Sequence, residues 1–506
     1  MRNRKAILMA SAAAIGSMAA ATAAYAWQSP TEHRYLTKPL QICDQGTFYV
    51  GGAPKTSPFA NGPTPQGQRG IIIGQMYVQF QTPMVSKSWP LIMVHGSGYT
   101  GSAVQGTAGG NEGWSDYTVR HGIPTYVVDQ PGRGRSGFDH TPIHEAVHEL
   151  VANNDIPAAL ALLPGGGTLP EFGFSHEGTR GWAAWFGHFV PSAGNSADED
   201  VTASLMVRHG DVGDPECVAT PSHCTFLGRL PMEPEAPWAV DQVIKSRTGD
   251  GAPTGIGTVT PDNAQVLENA SYLALDAYKF DLPNTEVFLP ASTCDTCSNP
   301  NINATNTWTP KALAELVEGL GGAIVATHSQ SGSIGHHMTR ILKDHGNLDL
   351  LKALITFEGS CSLAGAGLTA ADFENIPYMA LKGDGANISA TCQASVDAIN
   401  AAGGDAMYIQ LDQDGFWQGG YAGPFGDEYV GPFRGVSHMA MIEDNPAPNG
   451  QATNLQVMDV ILEWADEHIS KPKVQACGNE GGPPAGTPPG LSKKPGGLPP
   501  GQAKKL

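Results

Sequence analysis

The chain has 506 residues and carries 48 acidic against 29 basic side chains, a formal charge of −19. A surface this acidic makes a poor partner for nucleic acid, because neutralising phosphates needs clustered Lys and Arg. Hydrophobic residues at 41% suffice for a large core, while 39 Pro and 63 Gly make the chain rich in loops.

The first element is a secretory signal over 1–26. Arg2, Arg4 and Lys5 precede an Ala-rich apolar stretch from Ala6 to Ala23, and Ala24-Tyr25-Ala26 has the A-x-A form of a cleavage site. Ser11, Gly16, Ser17 and Thr22 interrupt the apolar run, which argues against a membrane anchor. Removing the signal takes the formal charge to −22. No later segment has the length of uninterrupted apolar sequence that a span requires. The expected location is therefore secreted or periplasmic, in a bacterial style, with no membrane anchor after cleavage. Eight Cys in an exported chain read as disulfides. Plausible pairs are Cys217 with Cys224 and Cys361 with Cys392. Cys294-Asp295-Thr296-Cys297 has the spacing of half a zinc or redox site, but no second half accompanies it, and no metal is expected.

Short apolar runs then recur at the spacing of a mostly parallel sheet covered by helices. Strands are expected at Ile71 to Phe80 (one or two), Leu91 to Val94, Thr125 to Asp129, Ala323 to Ala326, Ala353 to Phe357, Tyr378 to Leu381 and Met407 to Leu411. Helices are expected at Gly113 to Arg120, Ser331 to Lys343, Val396 to Ala402 and Leu455 to His468. This divides the chain into a core over 27–139 and 311–470, interrupted at 140–310 by an insertion read as a cap or lid; a separate binding domain is the other reading of that insertion. Trp182, Trp185 and Phe186 fall within it and suit either an apolar substrate portion or the insertion's own core. From 471 to 506 the Gly/Pro/Lys-rich chain cannot bury enough apolar surface to fold and is expected to be a disordered tail.

The chemistry-bearing segment is Thr327-His328-Ser329-Gln330-Ser331-Gly332, between an apolar strand and a helix. A sharp strand-to-helix turn strains its apical residue and requires small neighbours two positions away, here Thr327 and Ser331. Thr and Ser replace the two Gly of the usual G-x-S-x-G. A serine hydroxyl is a weak nucleophile and needs a base, a group to orient that base, and donors for the oxyanion. His438, after the last strand, is the candidate base. Glu358, ending the strand after the turn, is the favoured acid, because a carboxylate there is costly without a partner. Asp384, ending the next strand, is the alternative acid. The oxyanion donors are expected to be the N–H of Gln330 and one from Ser97 or Gly98, in the Gly-rich loop His95-Gly96-Ser97-Gly98-Tyr99-Thr100-Gly101. That loop lacks the endings of a phosphate-binding loop. Asp129 to Gly137 reads as turn chemistry, with Asp129 structural. Ser331 and Ser333 are rival nucleophiles, and His336 and His337 read as surface or packing residues.

On these residues the chain resembles the α/β-hydrolase superfamily. More narrowly, His328-Ser329-Gln330, Glu358, His438-Met439 and Asn111 to Tyr117 resemble a branch of bacterial secreted esterases with a Ser-Glu-His triad. The resemblance covers about Gly70 to Gly137 and Pro310 to Ser470, but neither the insertion nor the tail. It implies an α/β-hydrolase fold with a large cap or lid, and an exported serine esterase acting on a small-molecule ester through an acyl-enzyme on Ser329, with no cofactor. An amidase, peptidase or acyltransferase could use the same triad. A non-catalytic binding protein on this scaffold is the reading from a different class.

Overall fold

The computed structural model describes residues 35–36, 38–61, 64–96, 99–107, 111–163, 307–382, 389–410, 440–442 and 453–477. The strands among them are β1 (Ile42–Asn61), β2 (Thr64–Pro83), β3 (Val85–Ser86), β4 (Leu91–Val94), β5 (Thr125–Asp129), β6 (Ala323–His328), β7 (Leu351–Phe357), β8 (Tyr378–Lys382), β9 (Ala406–Gln410) and β10 (Gln475–Ala476). The helices are α1 (Ser102–Gln105), α2 (Trp114–Arg120), α3 (Thr141–Asn153), α4 (Ile156–Ala161), α5 (Trp308–Leu320), α6 (Ser331–Asp344), α7 (Ser389–Ala401) and α8 (Thr453–His468).

Eight strands form one sheet in the order β1-β2-β5-β4-β6-β7-β8-β9. The strands from β5 to β9 in that order run parallel, and β1 and β2 add an antiparallel hairpin at one edge. Parallel strands covered on both faces should read as continuous apolar runs. Leu91–Val94, Thr125–Asp129 and Tyr378–Lys382 are accordingly buried at every position. The chain passes from β4 outward to β5 and later returns to β6 on the other side of β4. In such sheets the place beyond the C-terminal ends of the strands at this reversal, here β4 and β6, is where ligands usually bind.

Helices take their orientation from one apolar face. Leu313, Leu316 and Val317 of α5, and Ile334, Met338, Ile341 and Leu342 of α6, enter one core with Val325, Leu354 and Tyr378 of the sheet. Gly321 ends α5 in the left-handed conformation, where a Cβ would be penalised, and lets β6 begin two residues later. On the other side, α8 is tied to α2: the Trp114 indole N–H donates to the Asn454 carbonyl at 2.7 Å, and the Tyr117 hydroxyl donates to Asp459 at 2.6 Å.

Three features depart from the sequence reading. The strand expected at Ile71 to Phe80 is longer, and its partner β1 was not foreseen, because Gly and Pro break its apolar pattern. The helix α3, within the span assigned to the insertion, packs on the β1–β2 hairpin. The tail expected from 471 is corrected at its start, since β10 pairs with β3 and Cys477 is bonded to Cys43 across 434 residues. Composition cannot reveal a covalent tie between such distant positions. Cys361–Cys392 is the pair expected from sequence. The 164–306 part of the insertion, with Cys217, Cys224, Cys294 and Cys297, lies outside the described residues, as do the signal and residues 478–506.

Cys361–Cys392 bridges a separation of 31 residues between the segment after β7 and α7. Replacing both by Ser is expected to lower unfolding free energy by about 2–4 kcal/mol. Urea unfolding of the double variant measures this, and a midpoint unchanged from wild type would show that the bridge is energetically idle.

Candidate active site

Ser329 follows β6 directly and precedes α6. Its φ is +54°, a conformation that a Cβ disfavours. Among the described residues, three that are not glycine have positive φ: Asn154, Ser329 and Glu358. Asn154 is the left-handed cap of α3, a common place for Asn. The other two are the nucleophile and the acid inferred from sequence. Strain of this kind costs on the order of 1–3 kcal/mol and persists where the surroundings enforce it.

The enforcement is visible residue by residue. β6 and β7 pair in parallel up to His328 opposite Phe357, and the Ser329 N–H donates to the Phe357 carbonyl at 3.0 Å. Ser329 and Glu358 are therefore neighbours at the C-terminal ends of adjacent strands. The Glu358 N–H in turn donates to the Leu381 carbonyl of β8 at 2.9 Å. Three glycines allow the close approach around them. A Cβ on Gly96 would lie 2.8 Å from the Ser329 Cβ, one on Gly359 would lie 2.8 Å from the Ser329 carbonyl oxygen, and one on Gly332 would lie 2.8 Å from the Ser360 nitrogen. The Gln330 backbone follows the apical serine as α6 begins.

Ser331, the rival nucleophile, is occupied elsewhere. Its fully buried hydroxyl accepts from the His328 N–H at 2.8 Å and lies 2.9 Å from the Val94 carbonyl and 2.8 Å from the His328 carbonyl, either of which can take its proton. It braces the turn against β4. Thr327 does the same toward β7, donating to the Ile355 carbonyl at 3.1 Å. His336 and His337 are both buried in α6, so they are packing residues and not surface ones.

The start of the loop after β4 is held by a second set of bonds. The Gln130 N–H donates to His95 Nε2 at 3.0 Å, which leaves the His95 proton on Nδ1, facing the Gly96 carbonyl at 2.7 Å. The Gln130 amide donates to the His95 carbonyl and Arg133 donates to the Gly96 carbonyl, at 2.7 and 2.9 Å. Asp129 closes the far end, accepting from the Gly101 N–H at 2.7 Å and from the Arg135 side chain at 2.8 Å. Arg135 keeps the Asp129 carboxylate ionised against the cost of its burial. Burial lowers the pKa of His95 to about 4, with Arg133 acting in the same direction and Asp129 opposing.

The structure thus brings together Ser329, Gln330 and Glu358, beside Gly96. Ser97, Gly98, Asp384 and His438 lie outside the described residues. Ala440–Ile442, two residues past His438, is buried and packs against α1 and α8. Among the described residues no cluster of His, Cys, Asp or Glu could hold a metal ion, and no helix is long and apolar enough to cross a membrane.

A solved structure of a novel bacterial esterase superposes on 87% of this chain and 100% of its own, with a TM-score of 0.53 at 22% sequence identity. The chain has the α/β-hydrolase fold. A probable secreted lipase (phiG) of Fungal sp. (strain ATCC 74256) is 36% identical over 62 residues, which span 12% of this chain and only 17% of the lipase. No protein-family model matches the chain. In an α/β-hydrolase fold the turn after β6 and the loop after β4 meet at the sheet's reversal point, which is where Ser329 and Gly96 touch. Sequence reasoning missed Gln130 and Arg133 as the clamps of that loop, having read their segment as turn chemistry with a structural role for Asp129 alone. It also passed over Lys382, whose ammonium lies buried against the Gly359 carbonyl at 2.9 Å. The signal was present: a charged residue ending an apolar strand needs a partner, whether it is Glu358 or Lys382.

Two predictions follow from these bonds. Ser331→Ala strands the His328 N–H and is expected to cost about 1–3 kcal/mol in urea unfolding; no loss would show that water or relaxation replaces the bond. His95 and His336 are both buried neutral, with pKa lowered to about 4, against about 6.5 when unfolded. Their contribution is complete above about pH 6.5 and is lost as pH falls toward about 4. The urea midpoint should therefore drop between pH 7 and 5, and less steeply in His336→Gln; equal slopes would contradict the assignment.

Proposed function

We propose that the chain is an exported serine hydrolase that cleaves small-molecule carboxylic esters through an acyl-enzyme on Ser329. The observation that carries this reading is the pairing of two strained residues, Ser329 and Glu358, at the ends of adjacent parallel strands beside Gly96. An ester, in preference to an amide, is favoured by the esterase whose fold the chain shares and by the local match to a secreted lipase. Export is supported by the disulfides Cys43–Cys477 and Cys361–Cys392, which persist in oxidising compartments.

In the proposed reaction Ser329 Oγ attacks the ester carbonyl carbon while His438 takes its proton. The carbonyl π electrons move onto oxygen, and the N–H of Gln330 with one of Ser97 or Gly98 stabilises that oxyanion. Collapse expels the alcohol, which leaves with the proton from His438. Water, deprotonated by the same imidazole, then releases the acid and frees Ser329. Glu358 stabilises the imidazolium at each stage and fixes its tautomer. The left-handed backbone at Ser329 serves this chemistry by lifting the side chain out of the strand and turning the next N–H toward the same space.

The test is hydrolysis of short and medium p-nitrophenyl esters by the mature protein, beside Ser329→Ala, His438→Ala and Glu358→Gln. Wild-type turnover should fall by about 10⁴-fold or more in Ser329→Ala and His438→Ala, and by a smaller but large factor in Glu358→Gln. Turnover surviving Ser329→Ala would overturn the mechanism. Turnover surviving Glu358→Gln but lost in Asp384→Asn would move the acid to Asp384.

A further inference from the structure

A buried charge that the proposed mechanism does not use stands next to its acid. Lys382 is the last residue of β8, and its side chain is fully buried. Its Nζ donates to the Gly359 carbonyl at 2.9 Å, one residue beyond Glu358. The neighbouring Leu381 carbonyl accepts the Glu358 N–H at 2.9 Å. Residues 358–359 are thus tied to 381–382 twice, once through backbone and once through an ammonium. Both sulfurs of Cys361–Cys392 lie 3.7 Å from the same Gly359 carbonyl, which encloses the ammonium's partner away from water.

Lysine is almost never fully buried unless a partner offsets its charge. A carbonyl supplies a dipole but no counter-charge. The carboxylate of Glu358, itself only 3% exposed, supplies the charge. Burial pushes the Lys382 ammonium pKa down, and Glu358 pulls it back up. Among the described residues, Glu358 is the ionisable group acting on Lys382. Its register partner on β9 is Gln410, and the disulfide beside it does not titrate.

We infer that Lys382 is a positioning residue for the catalytic acid: it holds the turn at Glu358–Gly359 and sets the charge against which the acid–base pair binds a proton. The inference rests on the reading of Glu358 as the acid and deepens it. A cation at this place has two consequences. The strained turn keeps its geometry, because the Gly359 carbonyl is anchored to a rigid strand end. The Glu358–His438 pair also resists protonation, because a proton added to either partner is repelled by Lys382, whichever atom carries it. The base then stays available at lower pH than an uncompensated carboxylate would permit.

The experiment is kcat/KM for p-nitrophenyl butyrate from pH 4.5 to 9 with the mature protein, Lys382→Met, Lys382→Gln, Lys382→Arg and Glu358→Gln. Removing the positive charge lets the pair take up its proton more easily. The acid limb should therefore move to higher pH by about one unit, a tenfold change in proton affinity, in Lys382→Met and Lys382→Gln. Lys382→Arg keeps the charge and should hold the limb near its wild-type position. A limb that stays in place while activity falls equally at every pH would make Lys382 merely structural and overturn the inference. Should Lys382→Met fail to fold, Lys382→Gln retains a donor for the Gly359 carbonyl and decides the question, an unmoved limb again overturning it. Full activity in Glu358→Gln would instead sink the underlying assignment of the acid, irrespective of how the Lys382 variants behave.

Discussion

The hydrogen bond from the Ser329 N–H to the Phe357 carbonyl extends the parallel pairing of β6 and β7 one residue past the end of β6. Everything at the candidate site depends on that extension. It holds the chain in register up to the residue where the backbone reverses, so the turn is made at Ser329 and nowhere else. It also sets Glu358 beside the serine, because the next residue of β7 must turn at the same level. Two left-handed residues on adjacent strands would each cost on the order of 1–3 kcal/mol if isolated. Here the surrounding bonds leave neither strand end another course.

Close packing provides the remainder of the constraint. Gly96, Gly332 and Gly359 each bring backbone to within a distance that a Cβ would forbid. Ser331 and Thr327 flank the turn with hydroxyls that bond to β4 and β7. Small residues at these positions are thus needed for two reasons, space and hydrogen bonding. Thr and Ser meet both, which explains how the turn forms without the usual pair of glycines.

The charges around the site form a nested arrangement. Asp129 and Arg135 pair at the outer end of the β4 loop, and Arg133 reaches inward to the Gly96 carbonyl. His95 stays neutral between them because burial and Arg133 outweigh Asp129. Beyond Ser329, Glu358 and Lys382 stand at the ends of the neighbouring strands β7 and β8, where burial lowers the Lys382 pKa and Glu358 raises it. Asp129, Arg133, Glu358 and Lys382 are buried while Arg135 reaches solvent, and charges held in a buried setting act more strongly on their neighbours than they would in water.

Much of this was legible in the sequence, and the pattern of what was missed has a physical cause. The parallel strands announced themselves because burial on both faces makes them continuous apolar runs. The turn at Ser329 announced itself through small residues between an apolar strand and an amphipathic helix. Glu358 stood out in the sequence because a carboxylate at the end of an apolar strand needs a partner, and the same argument applies to the buried Lys382. The strand β1 was hidden by its Gly and Pro, and the bond between Cys43 and Cys477 by a separation of 434 residues. Local pattern therefore determined the element types, the sheet class, the strained serine and the carboxylate ending the next strand. Only the tertiary structure decided which carbonyl each donor reaches, which histidines are buried and which buried cation bonds to the Gly359 carbonyl beside Glu358. Those depend on distances between strand ends far apart in the chain, and periodicity along one segment carries no information about them.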